Sequence, residues 1–358
     1  MKSTILTFLL SILLFLANGQ EPKNWAVTAK IGDGFIVAHR PSVVHVLQKH
    51  TRSFEIDYTF KTHNKKDWEE IYNFPELGIG YQFFNLGNPT ELGTAQGLFG
   101  LIKFNLWNTK SSTLTTHLGI GVGYVSKPFN TTNNYKNILI GSKINATITT
   151  GVEYSFRLSH QTFLNAGINL THYSNGSSNV PNMGINLASI NAGIQHFLNT
   201  PIKSNKEKFN LQRKSHIAFL LAGGVKQTYP PNSPKYAIGV FTSDYILPIK
   251  NKSIVAIGGD FYYDKSRQIE LNENQIEYNN FNLGMRAGIH FGYGLQAGKC
   301  SGQIQTGYYL YNPFHFDGRI YSTLTIRYQI NEHLFACFNL KSHFARADYF
   351  QYGIGYQF

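Results

Sequence analysis

The chain has 358 residues, 42% of them hydrophobic, 15% aromatic and only 15% charged, with a formal net charge of +12. On a soluble protein that charge would make nucleic acid the first partner to test, but the leading segment reads as an export signal and excludes it. Lys2 precedes an apolar run from Ile5 to Ala17, and Ala17-Asn18-Gly19 forms a cleavage box with small residues at both critical positions.

Residues 1–19 are therefore expected to be a signal peptide, with the mature chain starting at Gln20. Beyond it no apolar run of about 18 residues occurs, which excludes a membrane helix and leaves a membrane β-barrel open. The 22 Tyr, 27 Phe and 33 Gly suit strands with aromatic girdles and a curved wall. On an outer-membrane surface the positive charge would face the phosphates of lipopolysaccharide.

Period-two alternation runs along the mature chain. Phe54, Ile56, Tyr58 and Phe60 alternate with Glu55, Asp57, Thr59 and Lys61, and Leu118, Ile120, Val122 and Tyr124 alternate with glycines. The same pattern holds from Ile144 to Arg157 and from Thr323 to Ile330. The reading is an all-β, transmembrane antiparallel β-barrel of about 16 strands (14–16). The strands are placed near 24–31, 52–62, 75–86, 97–107, 113–126, 143–157, 162–174 and 184–198. They continue near 215–226, 235–247, 252–263, 281–293, 301–311, 319–330, 334–343 and 348–358. With both termini in the periplasm, odd-to-even connections face outward, including Phe129 to Gly141 and Asp264 to Asn280. Residues 20–202 form one strand group. The charged Lys203 to Lys214 stretch divides it from 203–358, a C-terminal β-strand extension expected to complete the barrel. Alternation alone does not separate one sixteen-strand wall from two eight-strand units.

Several residues outside the main site invite a function. Cys300 and Cys337 fall on non-neighbouring strands and are expected to be free thiols. His39, His45 and His50 share the first outward loop, but their spacing fits no strong metal motif. Asp260 and Asp264, beside Phe261-Tyr262-Tyr263, are expected to line a rim. Gln303, Gln305, Arg327 and Asn339 face inward and are compatible with a pore.

The richest segment is Leu164 to Ile194. Leu164, Ala166, Ile168, Leu170, His172 and Ser174 share the apolar face of one strand, so two polar side chains end a lipid-facing row. At a spacing of i, i+2 they are about 6.6 Å apart at Cα, close enough for an imidazole to approach a hydroxyl. Pairing His172 with Asn186 on the returning strand also aligns Ile168 with Ile190 and Ala166 with Ala192. That register yields a Ser, a His and an orienting amide on the outer wall. The loop from Asn175 to Asn182 could supply oxyanion N–H groups, or could simply be a polar hairpin connection.

His172-Tyr173-Ser174-Asn175-Gly176, followed by Pro181-Asn182-Met183-Gly184, resembles the active-site hairpin of PagL-type lipid A 3-O-deacylases, over roughly residues 24–198. The resemblance implies His172 as base, Ser174 as nucleophile, N–H groups of Gly176 and Ser177 as oxyanion hole with Asn182 in support, and an orienting acid where this chain has Asn186. The acyl chain would lie along Leu164, Ile168, Leu170 and Ile190. The segment is also similar to outer-membrane phospholipase A, whose His, Ser and Asn would be matched in full, although an acidic calcium ligand is lacking and Asn179 stands nearby. The C-terminal half resembles the extension of larger barrels described as acyloxyacyl hydrolases, through Lys341-Ser342-His343, Ala347-Asp348-Tyr349 and Gly353 to Tyr356. These likenesses imply an outer-membrane esterase that needs no cofactor or metal. Its partners would be lipid A, lipopolysaccharide or phospholipid of the outer leaflet, and a second copy as a homodimer. The competing reading is a transport or structural barrel with a degenerate hydrolase hairpin.

Overall fold

The computed structural model describes residues 24–63, 66–200, 213–267, 284–313, 317–344 and 346–358. The expected signal peptide, most of the Lys203 to Lys214 connection and much of the Asp264 to Asn280 loop lie outside them.

Sixteen antiparallel strands form two closed barrels of eight. The first comprises β1 (Asn24–Ile36), β2 (Thr51–Lys61), β3 (Glu76–Asn85), β4 (Thr94–Asn108), β5 (Ser112–Val125), β6 (Ile144–Arg157), β7 (Thr162–Ser174) and β8 (Ile185–Phe197). The second comprises β9 (His216–Gln227), β10 (Lys235–Ile249), β11 (Ser253–Asp264), β12 (Met285–Ala297), β13 (Cys300–Tyr311), β14 (Ile320–Gln329), β15 (Leu334–His343) and β16 (Arg346–Gln357). The C-terminal extension therefore does not complete the first wall. β8 pairs with β1 from Ala26↔Phe197 to Ile36↔Leu187, so its free edge is used up and β9 pairs with β16 instead. A barrel of eight is the size whose interior side chains can fill.

Both barrels are inside out relative to a soluble protein. Ile31, Ile79, Leu98, Val122, Leu221, Ile257, Ile304 and Ile354 stand exposed around the two walls, while Lys30, Asp57, Glu153, Asp244, Arg286 and Lys341 are buried in the lumens. An apolar belt of that extent needs lipid against it. No helix among the described residues is long and apolar enough to cross a membrane.

The lumens are filled with ionic networks. In the first, Lys30 pairs with Glu55, with Asp57 at 3.1 Å and with Glu153 at 3.3 Å, and Lys103 meets Asp57 at 2.9 Å. In the second, His290 bridges Asp260 at 2.8 Å and Asp244 at 2.7 Å, with Arg327 on the far oxygen of Asp244. Asp260 is thus not at a rim: it faces inward and also accepts from Thr242 and Tyr321. Asp264, on the same inward face, holds Arg267 at 3.0 Å. Gln303, Gln305, Arg327 and Asn339 do line the second lumen, but none is more than 6% exposed, so they plug it rather than bound a channel.

In the first barrel the β1–β2, β5–β6 and β7–β8 connections lie at one end and the short β4–β5 and β6–β7 turns lie at the other together with the long β2–β3 connection, and the two barrels touch at both ends with the same polarity. At the short-turn end Tyr72, just after helix α1 (Asp67–Ile71), donates to Gln296 O at 3.2 Å and lies under Lys252 Nζ. At the long-loop end of the first barrel Val43, Val46, Phe84, Leu86, Leu92, Leu139, Ile140 and Tyr173 form a buried apolar cap. The cap and the strand ends beneath it hold the long loops in place.

Cys300 is exposed at the first position of β13, and Cys337 is 7% exposed with its side chain in the lumen; both are free. A bulky maleimide is expected to label the native protein once, at Cys300, and the denatured protein twice. Two labels on the native protein, read by intact mass, would contradict the inward placement of Cys337.

Candidate active site

The predicted register is present: His172↔Asn186, Ile168↔Ile190 and Ala166↔Ala192. Because side chains alternate along β7, the order Leu164, Ile168, Leu170, His172 stays on the outer wall, while Asn165, Asn169 and Thr171 are buried inside. His172 Nδ1 lies 2.6 Å from Asn186 Oδ1. An amide oxygen only accepts, so this contact puts the ring proton on Nδ1 and leaves Nε2 with a free lone pair.

The amide is itself oriented. Asn186 Nδ2 donates to His39 Nδ1 at 3.1 Å, giving a chain His39–Asn186–His172. His39 was legible in the sequence only as one of three loop histidines. Closure of β1 on β8 brings it here, through Val37 N–H donating to Asn186 O at 2.8 Å. The three rings do not converge: His45 Nε2 meets Lys136 O at 3.0 Å and His50 Nδ1 meets Asp33 at 2.9 Å.

Ser174 shares the parity of His172 yet is only 4% exposed, because the β7–β8 loop and the second barrel cover it. Its Oγ accepts from Asn182 Nδ2 at 3.0 Å and from the Gly176 N–H at 3.2 Å, so in this arrangement the hydroxyl is held by the loop and not by the imidazole. Asn182 Oδ1 in turn accepts from the Asn175 N–H at 3.1 Å. Gly176 and Ser177 both have φ of +57°, and Ser178 N–H closes onto Asn175 O at 3.2 Å, which is a type I′ turn. The loop is tied back by Asn175 Nδ2 to Ser142 Oγ at 2.8 Å and by Gly184 N–H to Leu139 O at 2.8 Å. Gly184, at φ +80°, has to lack a side chain: a Cβ there would sit 2.6 Å from His172 Cε1.

The second barrel grips the same loop. Gln227 N–H donates to Ser177 O at 2.8 Å and Gln227 Oε1 accepts from Val180 N–H at 2.8 Å. Lys235 Nζ reaches Asn179 Oδ1 at 3.0 Å, and Phe350 packs where a Cβ of Gly176 would stand.

Two cavities adjoin the pair. An apolar groove of about 660 Å³ on the first barrel's outer wall is lined by Phe35, Val152, Ile168, Leu170, Ala188 and Ile190, directly below the His172–Asn186 pair. Leu164 lies farther along the same row, opposite Ile194, and is outside it. A polar crevice of about 510 Å³ between the barrels is lined by His172, Ser174 and Asn182, and by Gln227, Tyr229 and Arg346 from the other side. Burial raises the Tyr229 phenol above its ordinary range, and the nearby Arg346 guanidinium opposes that rise.

Among the described residues the metal-ligand spacing that stands out is Asp317, His343 and Asp348 in the second barrel. Arg267 reaches both carboxylates, at 2.8 and 3.0 Å, with Arg286 on Asp317 at 2.9 Å and Lys226 on Asp348 at 2.7 Å. Protein cations already balance that charge, which makes the cluster an ion-pair network.

Fold and site together define an outer-membrane-type β-barrel with a Ser, His and Asn set on its outer wall. The family model described as lipid A 3-O-deacylase (PagL) matches residues 52–195, and that described as acyloxyacyl hydrolase, C-terminal domain, matches residues 215–358. The chain belongs to the PagL-type lipid A 3-O-deacylase family, in a form that carries this C-terminal domain. The two matches fall on the two barrels. No curated protein matches the chain. Among solved structures, Neisserial surface protein A is similar at 13% identity over 49% of this chain and 99% of its own, with a TM-score of 0.33. A mutant Rh. blastica porin is 9% identical over 94% and 100%, TM-score 0.20, and the siderophore receptor PirA from Pseudomonas aeruginosa 8% over 95% and 81%, TM-score 0.24.

Proposed function

We propose that this protein is an exported serine esterase of the bacterial outer membrane that removes an ester-linked acyl chain from lipid A. The observation that supports this best is the 2.6 Å His172–Asn186 contact, with Ser174 two residues along the strand and an apolar groove beneath. The substrate enters laterally from the outer leaflet and lays its acyl chain in the groove, where the chain passes from lipid to protein without crossing water and gains packing contact, not hydrophobic transfer energy.

Ser174 Oγ turns from Asn182 toward His172 Nε2, loses its proton to that nitrogen and attacks the ester carbonyl. The tetrahedral oxyanion is held by the Gly176 and Ser177 N–H groups, with Asn182 steadying the loop. His172 then returns the proton to the departing sugar oxygen, and water hydrolyses the acyl-enzyme by the same route. Asn186 sets the tautomer and plane of the ring but adds no negative charge beside the imidazolium, where the family's acid would.

Mass spectrometry of lipid A from cells with and without the protein tests the reading. Loss of one ester-linked acyl chain is the expected result. Unchanged lipid A with altered phospholipid acylation would assign the site to phospholipids, and conductance across a planar bilayer with neither lipid altered would replace the esterase with a transport barrel.

A further inference from the structure

We propose that the crevice between the barrels is a headgroup site for a phosphorylated sugar lipid, with Arg40 of the first barrel and Arg346 of the second as its anion-binding groups. The proposal rests on the esterase reading for the lipid, but the site itself is argued from the second barrel.

The crevice of about 510 Å³ opens at Ser174 and is lined from both barrels. Its charged lining residues are Arg40, Lys226 and Arg346, with the imidazoles of His39 and His172, and no Asp or Glu is among them. Lys226 is committed to the buried Asp348 at 2.7 Å. Arg40 and Arg346 are both exposed, and among the described residues neither has an ion-pair partner. Two uncompensated guanidinium groups facing one polar cavity favour an anion with several acceptor oxygens, which a phosphate offers in the geometry of the guanidinium fork.

Position identifies the anion as part of the substrate. The apolar groove runs down the wall below His172 and the crevice opens beside Ser174, so a lipid whose acyl chain fills the first places its headgroup in the second. Arg346 is held on the same crevice as Ser174 because the adjacent β15–β16 end is docked on the nucleophile loop, through Phe350 on Gly176 and Ser177 Oγ on Ala347 O at 3.5 Å. The second barrel is thus one wall of the substrate site, and its Arg346 completes the anion-binding pair that Arg40 begins from the first barrel.

The test compares wild type with Arg346→Gln, Arg40→Gln and the double variant, on phosphorylated lipid A and on the same lipid A after dephosphorylation, in detergent micelles. With the phosphorylated lipid, KM for acyl release should rise about tenfold in each single variant and about a hundredfold in the double variant while kcat stays within about twofold, the loss of one and of two charged hydrogen-bonded contacts. With the dephosphorylated lipid, wild type should already show the raised KM and the variants should change it little. Fluorescence anisotropy with labelled phosphorylated lipid A should give the same shift in Kd without any turnover. A Kd unchanged by both substitutions overturns the site, and so does an equal loss on both lipids, which would mean damage to the loop. Inorganic phosphate that displaces the labelled lipid with a Kd no weaker than the lipid's own would make this a free-anion site and overturn the headgroup assignment, whereas phosphate that competes only weakly, though better than chloride at matched ionic strength, supports it. If the variants shift Kd but no form hydrolyses lipid A, the headgroup site stands and the esterase reading fails.

Discussion

Replacing Ser174 or His172 with Ala should abolish acyl release, a loss of at least ~10³-fold in kcat, in a barrel that still shows heat-modifiable migration on gels. Asn186→Ala should cost about one to two orders of magnitude, because it removes orientation while leaving nucleophile and base in place. Asn186→Glu should preserve or raise activity: a carboxylate accepts the same bond from His172 Nδ1 and adds charge that favours the imidazolium. It also requires His39 to present a proton on Nδ1, where the native amide donates to that atom at 3.1 Å. Ester release from lipid A and from phospholipid, measured for wild type and the four variants, decides among these. Full activity in Ser174→Ala would remove the hairpin from the chemistry, whereas an inactive but folded Asn186→Glu would remove only the parallel with the family's acid.

The largest stability effect is expected at Lys30. Its ammonium sits 2% exposed among Glu55, Asp57 and Glu153 in the lumen. Lys30→Ala leaves three buried carboxylates sharing Lys103, and breaking a buried pair from one side costs about 3–5 kcal/mol. In detergent the urea midpoint of the folded gel band should fall sharply, and adding Glu55→Gln should recover part of it by removing one unpaired charge. The second barrel, closed by its own β9–β16 pairing, should keep its midpoint. An unchanged midpoint in Lys30→Ala would mean that the lumen admits enough water to screen the carboxylates.

Most strand bounds could be read from alternation, because the outer row of each strand must be apolar and the inner row polar. β7 was placed at its observed bounds, and β15 likewise. β1 runs five residues past its expected end, through Gly32-Asp33-Gly34. That tripeptide looks like a turn, but in the barrel its glycines let the backbone approach β8 closely. The His172–Asn186 pair was legible for a related reason: one register satisfied both the apolar rows and the motif, and a slip of one residue would have turned the row inward.

What lay beyond the sequence depends on contacts between distant segments. His39 reaches Asn186 only because β1 closes on β8, a pairing between the two ends of the first unit that local periodicity does not encode. Asp260 shows the same limit: its sequence surroundings suggested a rim, and only closure of the second barrel placed it in a lumen filled by His290 and Tyr321. The sequence by itself determined an inside-out chain of about sixteen strands and the outer-wall hairpin, since period two and the lipid-facing rule act residue by residue. Tertiary structure alone decided that the wall closes twice and that the second barrel docks on the nucleophile loop. Strand-edge pairing and surface complementarity are settled between elements far apart in the chain.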